Sequence, residues 1–253
     1  MMKTVALIPC RVNSSRLEGK LLKEIEGFPL FYHVFIRTKL SSLDEIYICS
    51  GDKEIINKCI ELDIPYIKTK KNHQNGTERC AEAANKLRLN NNDLVINVQG
   101  DEVLYNPTFI KTMIDFYKQN KSADIVTLYG EKFTSNNINE TKLVTNSLNK
   151  VLYISRYDIP YDVSKNKNQT KKVHIGMFLF KKNILDAVIE QKSTFNERCE
   201  SIELIRSLEL DLNVFALKVD TKNLVSVDSK EDFEIAKKLI SKDKIFQKAI
   251  KKV

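Results

Sequence analysis

The chain has 253 residues, 42% hydrophobic and 29% charged, with a formal net charge of +8 and a pI near 9.1. That length can bury a substantial core, no apolar run reaches the roughly 18 residues a membrane span needs, and the basic excess permits anionic partners. Five scattered cysteines without a CxxC pair, and an N-terminus without a signal-peptide pattern, lead us to expect reduced thiols and a cytoplasmic protein.

In chain order, "TVALIPC" (4–10) predicts a first buried strand, and "FPLFYHVFIRTKL" (28–40) a helix with an apolar face. "EIYICS" (45–50) predicts a second strand, "KEIINKCIEL" (53–62) a helix, and "IPYIKTK" (64–70) a third strand. "TERCAEAANKLR" (77–88) is helical with Thr77 as its expected N-cap, and "DLVINVQGD" (93–101) predicts the fourth strand. The helix "TFIKTMIDFYKQ" (108–119) and the strand "DIVTLYG" (124–130) follow. Residues 131–149 and 163–172 are polar and weakly patterned, while "KVLYISRYDIPYD" (150–162) and "VHIGMFLFKK" (173–182) read as strands. The helix 197–210, the strand "NVFALKV" (213–219) and the helix "KEDFEIAKKLI" (230–240) precede a lysine-rich tail, itself expected to be an amphipathic helix docked by its apolar side.

This alternation describes an α/β fold: a mostly parallel, mixed central sheet with helices on both faces. We expect a single domain over 1–253, with a small lobe within it at about 131–180 and 213–219. In such sheets ligands gather beyond the carboxyl ends of the strands, and three stretches with suitable chemistry fall there. After the first strand, "IPCRVNSSRLEGK" (8–20) offers Arg11, Arg16 and Lys20 to an anion, with Ser14 and Ser15 as neutral donors. A solvated basic loop is the plainer alternative. In "HQNGTER" (73–79) a tight turn enters a helix whose N-terminus favours anions, or is simply a capped helix. At the end of the fourth strand stand Gln99, Gly100, Asp101 and Glu102, and Asp228 in "VSVDSKED" (225–232) is a second carboxylate. Both acids could hold Mg2+ against phosphates, or cap the segments that follow them. No Ser-His-Asp or Cys-His nucleophile stands out, which suits phosphoryl or nucleotidyl transfer, where alignment and charge neutralisation dominate.

These stretches resemble the sugar-acid cytidylyltransferases. "IPCRVNSSRLEGK" is similar to IPAR-x-x-S-T/S-RLPGK, "HQNGTER" to HxSGTER and "NVQGDE" to NVQGDEP. "VHIGMFLFKK" is similar to HxGIYxYR, "ESIELIRSLE" (200–209) to ExLEQLRxLE and "VDSKEDFE" (227–234) to VDTPEDLE. The order holds from about residue 4 to 240, and the chain resembles the 3-deoxy-manno-octulosonate (Kdo) cytidylyltransferase family in particular.

The resemblance implies a nucleotidyltransferase fold (GT-A-like, Rossmann-like) with a small inserted lobe. It implies transfer from CTP, with Mg2+, to a 3-deoxy-ulosonic acid for lipopolysaccharide or capsule biosynthesis, by a homodimer that binds neither nucleic acid nor membrane. It implies that Arg11, Arg16, Lys20 and Asp101 are catalytic, that Ser15, Gln74, Gly76 and Arg79 join Arg11 and Lys20 around the nucleotide, and that Asp101 and Asp228 bind the metal. Arg156, His174, Glu203 and Asp228 would face the sugar acid. Glu18, Val103, Leu204 and Ser226 replace the family's Pro, Pro, Gln and Gly, so a modified sugar such as an 8-amino derivative is a further expectation. A cytidylyltransferase for a sialic-acid-like sugar, a GT-A-like glycosyltransferase and a basic nucleic-acid binder are the alternatives.

Overall fold

The computed structural model describes residues 2–13, 17–133, 137–163 and 169–250, the side chains of 249 and 250 excepted. Its strands are β1 (Thr4–Pro9), β2 (Glu24–Ile25), β3 (Phe28–Pro29), β4 (Glu45–Ser50), β5 (Tyr66–Lys68), β6 (Leu94–Val98), β7 (Ile125–Lys132), β8 (Lys142–Thr145), β9 (Val151–Ser155), β10 (Lys171–Lys181) and β11 (Val214–Lys218). Its helices are α1 (Leu30–Lys39), α2 (Lys53–Glu61), α3 (Gly76–Lys86), α4 (Thr108–Gln119), α5 (Lys182–Glu190), α6 (Phe195–Glu200), α7 (Leu204–Glu209), α8 (Lys230–Ile240) and α9 (Lys244–Ile250). None of the described helices is long and apolar enough to cross a membrane.

The main sheet runs β11-β7-β10-β6-β1-β4-β5. β1 pairs parallel with β4 and β6, β4 with β5 and β7 with β11, while β10 runs antiparallel between β6 and β7. Strand alternation divides β1 between two cores. Ala6 and Ile8 pack among Phe31, Ile55, Met113 and Ala236 on one face, and Val5 and Leu7 among Ala81, Ala84, Leu185 and Ile205 on the other. A strand covered on both sides needs the unbroken apolar run seen in its sequence.

Several expectations are corrected. The N-cap of α3 is Asn75, not Thr77: its Oδ1 accepts the Glu78 N–H at 2.9 Å, because the turn hands over to the helix already at Gly76. The helix expected over 197–210 is two, α6 and α7, broken where Ser201 adopts a left-handed φ of 53°. Within 131–180 and 213–219, β10 and β11 belong to the main run of the sheet, and β8 and β9 branch from it at β10. β10 serves both parts because two extra residues, Gly176 and Met177, bulge against β7 and let one long strand change partners. The basic tail is split at Ser241–Asp243, and α9 docks through Phe246, which lies against Phe28 and His33. The hairpin β2–β3, the strand β8 and the helix α5 were not anticipated. α5 follows β10 directly with no side-chain cap to signal it.

Candidate active site

A cavity of about 910 Å3 opens at the carboxyl ends of β1 and β6. Pro9, Cys10, Arg11, Lys20, Leu21, Gln99, Gly100 and Asp101 form its floor, and residues 73–76 with Arg79 form one wall. Ile138, Asn139 and Arg156, together with Ser193, Glu197, Arg198, Ser201, Ile202 and Glu203 of the α6 region, form the opposite rim.

On the floor, Lys20 follows Gly19, whose φ of 61° turns the loop sharply back. The Lys20 ammonium donates to Asp101 Oδ2 at 2.5 Å, Asp228 Oδ1 at 2.8 Å and the Val227 carbonyl at 2.9 Å. Three segments remote in sequence thus meet at one atom. Burial works against the charge on Lys20, but the two carboxylates outweigh it and hold the pKa above its ordinary value. Two acids against one ammonium leave the point one negative charge in excess, and its donors are hard oxygens.

Beneath this point Glu102 is buried; its Oε1 accepts the Gly176 N–H at 3.0 Å, and its Oε2 has no partner. Burial, then the Asp101 charge, push its pKa up to about 8. A glycine at 176, two residues after His174 on β10, could leave room for a ligand. The room is taken instead, because a Cβ there would lie 3.0 Å from Glu102 Oε1 and 3.1 Å from Gln99 Cγ.

The wall at α3 has its helix N-terminus already occupied. Glu203 Oε1 and Oε2 accept the N–H groups of Gly76 (3.2 Å) and Thr77 (3.0 Å), and Glu78 Oε2 accepts that of Gln74 (3.0 Å). Glu203 therefore lines the cavity with a carboxylate committed to α3 rather than free for sugar hydroxyls. Gly76 permits a close approach: a Cβ would sit 2.9 Å from Gln99 Nε2. Arg79 is likewise committed, donating to Thr69 Oγ1 (2.6 Å) and the carbonyls of Lys70 (2.9 Å) and Lys71 (3.2 Å), so it shapes the wall more than it offers donors. Gln74 and Arg11 are exposed lining residues.

On the rim, Arg156 donates through Nε to the Glu200 carbonyl (2.7 Å), through Nη1 to Ile138 O (3.0 Å) and through Nη2 to Ser201 O (3.1 Å). Three of its five N–H donors are used, which leaves one on each terminal nitrogen. α6 is fixed by a capping box between Thr194 and Glu197 and by a buried bidentate pair, Arg206 to Glu197, with both bonds at 2.7 Å. His174 does not line the cavity. Its Nε2 lies 2.8 Å from Thr127 Oγ1, whose own hydrogen goes to Met177 O at 2.7 Å, so the imidazole is the donor. Burial lowers its pKa to about 4.

The floor therefore unites Arg11, Lys20 and Asp101, with Asp228 joined through Lys20, and Gln74, Gly76, Arg79, Glu203 and Arg156 surround it. Arg16 and Ser15 lie outside the described residues. The lining residues Asn139, Ser193 and Arg198 were not anticipated, nor was Glu200, whose carboxylate accepts from Ser155 Oγ (2.6 Å) and the Arg156 N–H (2.8 Å). No periodicity marks them. Of the four family departures, Val103 and Leu204 are core residues, and neither Glu18 nor Ser226 lines the cavity. Among the described residues no group of three or more His, Cys, Asp or Glu is poised around a metal point.

The profile of a family described as cytidylyltransferase matches residues 5–218. The chain is 36% identical over 236 residues to the 3-deoxy-manno-octulosonate cytidylyltransferase of Fusobacterium nucleatum subsp. nucleatum, covering 92% of this chain and 95% of that one. It is 32% identical to the protein of the same name from Helicobacter pylori, with 94% and 98% covered. A solved structure of CMP:2-keto-3-deoxy-manno-octonic acid synthetase complexed with CTP superposes with a TM-score of 0.85 at 26% identity, covering 95% of this chain and 99% of that one.

Proposed function

The chain belongs to the cytidylyltransferase family, a family of nucleotidyltransferases, and on that premise we propose that it joins CTP to a 3-deoxy-ulosonic acid. The anomeric hydroxyl of the acid attacks the α-phosphorus, a new P–O bond forms as the bond to the β-phosphate oxygen breaks, and the CMP-sugar and pyrophosphate result. Kdo is the acceptor we favour, since none of Glu18, Val103, Leu204 and Ser226 lines the cavity and the departures that do, Cys10, Asn75 and Ile202, bring no charge to it.

The observation that carries this reading is the meeting of Lys20, Asp101 and Asp228 on the floor of a cavity large enough for a nucleotide beside a sugar. The charges of the lining suit two anions. The Glu203 carboxylate is hydrogen-bonded by α3 amides, Glu197 is paired with Arg206 and Asp101 with Lys20, whereas Arg11, Arg156 and Arg198 face the space with positive charge. Arg11 and Lys20 would hold the triphosphate tail, and Gln74 with the backbone beside it would read the base. Arg156, with one free N–H on each terminal nitrogen, suits the sugar carboxylate.

Asp101 and Asp228 are where Mg2+ would be held. Their oxygens and the Val227 carbonyl already converge on a cation, and Mg2+ is usually bound by one or two carboxylates with substrate phosphates completing its shell. When bound it supplies charge neutralisation for the departing pyrophosphate. Lys20, from the same point, stays within reach of the phosphates, and Arg11 orients the tail from the rim of the floor.

The product would serve lipopolysaccharide or capsule assembly, made in the cytoplasm. We also propose a homodimer. Leu152 on β9 (60% exposed) and Tyr157, Tyr161 and Val163 in the chain that follows it are exposed apolar residues, and among the described strands β9 pairs with β8 alone. Sedimentation velocity should give twice the mass of one chain, and Leu152→Lys half that; a wild-type monomer removes the proposal.

The deciding assay is pyrophosphate release with Mg2+, each of the four nucleoside triphosphates, and a panel of Kdo, its 8-amino derivative, a sialic acid and no acceptor. Turnover should require CTP together with Kdo. A preference for another triphosphate, or turnover with the sialic acid alone, overturns this reading, and higher kcat/KM for the 8-amino sugar would move the acceptor to that derivative.

A further inference from the structure

Lys142 opens β8 and is fully buried. Its ammonium donates to the carbonyls of Asn137 (2.9 Å), Glu140 (2.6 Å) and Arg156, with Asp158 Oδ1 3.3 Å away. Three hydrogens meet three carbonyls, so every donor of the side chain is used. A cation removed from water this completely persists only where it is so satisfied.

The segments it joins are those the sheet leaves unjoined. The β8–β9 ladder ends at the pair Lys142 and Ser155, and the chain on either side, 137–140 and 156–158, lies beyond it. Those are the segments that bring Ile138, Asn139 and Arg156 to the cavity. Arg156 is held at three points, one of them its N–H, which donates to the Glu200 carboxylate. Its carbonyl is held by Lys142, and its guanidinium returns to Ile138 O, in the neighbouring segment, and to the carbonyls of Glu200 and Ser201. Lys142 does not line the cavity itself.

We propose that Lys142 is a positioning residue for the sugar acid: it sets where the Arg156 guanidinium stands by holding the Arg156 carbonyl against the 137–140 turn. This rests on the reading above, in which the Arg156 end of the cavity receives the acceptor's carboxylate. Among the described residues the floor, with Lys20 and Asp101, shares no hydrogen bond with this socket, so the effect should fall on one substrate only. A role in stability alone would lower the amount of folded enzyme and leave both KM values where they were.

The experiment compares wild type, Lys142→Met, Arg156→Met and the double variant by pyrophosphate release, varying CTP and Kdo separately. Lys142→Met should raise the Kdo KM about tenfold, the scale of a misplaced binding group, while the CTP KM stays within about twofold. The double variant should be no worse than Arg156→Met alone, because both changes remove one interaction. Equal rises in both KM values, an unchanged Kdo KM, or additive losses in the double variant overturn the proposal. Should Lys142→Met not fold, Asp158→Asn loosens the same socket and should raise the Kdo KM about threefold; no change there also overturns it. Absence of turnover in the wild type is a separate result, which sinks the parent reading and this role together.

Discussion

The floor of the cavity and the socket behind its rim each hold a buried lysine, Lys20 and Lys142, and the two are satisfied in opposite ways. Lys20 meets two carboxylates and one carbonyl. Lys142 meets three carbonyls, with a carboxylate at longer range. Charge set against charge is exchangeable: a metal or a phosphate can compete for Asp101, Asp228 or Lys20 at modest cost, because each has a substitute partner of the right sign. Charge set against backbone dipoles has no ion to exchange with, and withdrawing the cation would leave the carbonyls of Asn137, Glu140 and Arg156 without this donor. The first arrangement suits chemistry and the second suits holding a shape. The floor should therefore govern turnover and the rim acceptor binding.

Asp101→Asn is the largest test of that division. The change is isosteric and leaves Lys20 bonded to Asp228 and Val227, so the fold should survive with little change in melting temperature. It removes one of two negative charges at the floor, and kcat should fall by about 100- to 1,000-fold, the range for deleting one preorganised electrostatic contact. The KM for Kdo should hardly move. If Asp101→Asn instead kept its turnover and lost Kdo affinity, the roles assigned to floor and rim would be exchanged.

The same contrast explains what could be read from the chain alone. Arg11 sits directly past the apolar run of β1 and Asp101 three residues past β6, and a buried strand announces where its polar end will face. Asp228 was visible as an acid before a helix, though nothing local tied it to Lys20. The rim gave no such signal. Lys142 lies in a polar stretch without period, and its partners are carbonyls, which every residue possesses, so no side-chain pattern records the contact. Glu203 and Arg79 do line the cavity, yet the sequence could not show that α3 amides and backbone carbonyls already engage them. A motif marks where a side chain stands, not whether an amide or a carbonyl nearby has already claimed it. The break at Ser201 was hidden for a related reason: the helical period of 197–210 is real, and one left-handed residue redirects α7 without disturbing it.

A smaller effect sharpens the comparison through pH. Glu102 belongs to the floor, and burial raises its pKa to about 8 from an ordinary 4.5. Between those values the folded chain holds a proton that the unfolded chain has released, so stability from this group declines as pH rises through about 8. His33 and His174, both lowered to about 4 by burial, act in the opposite sense: the unfolded chain binds their protons first, and stability is lost as pH falls from 6.5 toward 4. The two slopes overlap below pH 6.5; above it Glu102 acts in the same sense as Glu203, which burial also raises, and only a comparison with a variant at 102 isolates its part. Glu102→Gln keeps the shape and an acceptor for the Gly176 N–H but cannot ionise. In urea unfolding with EDTA present, wild type should lose about 1.5 kcal/mol more than the variant between pH 6.5 and 8, from roughly 1.4 kcal/mol per pH unit for one proton. Lys142, lodged among carbonyls behind the rim, should add nothing to that difference. Identical slopes for wild type and Glu102→Gln would mean that the floor carries no uncompensated carboxyl, and that its excess negative charge is confined to Asp101 and Asp228.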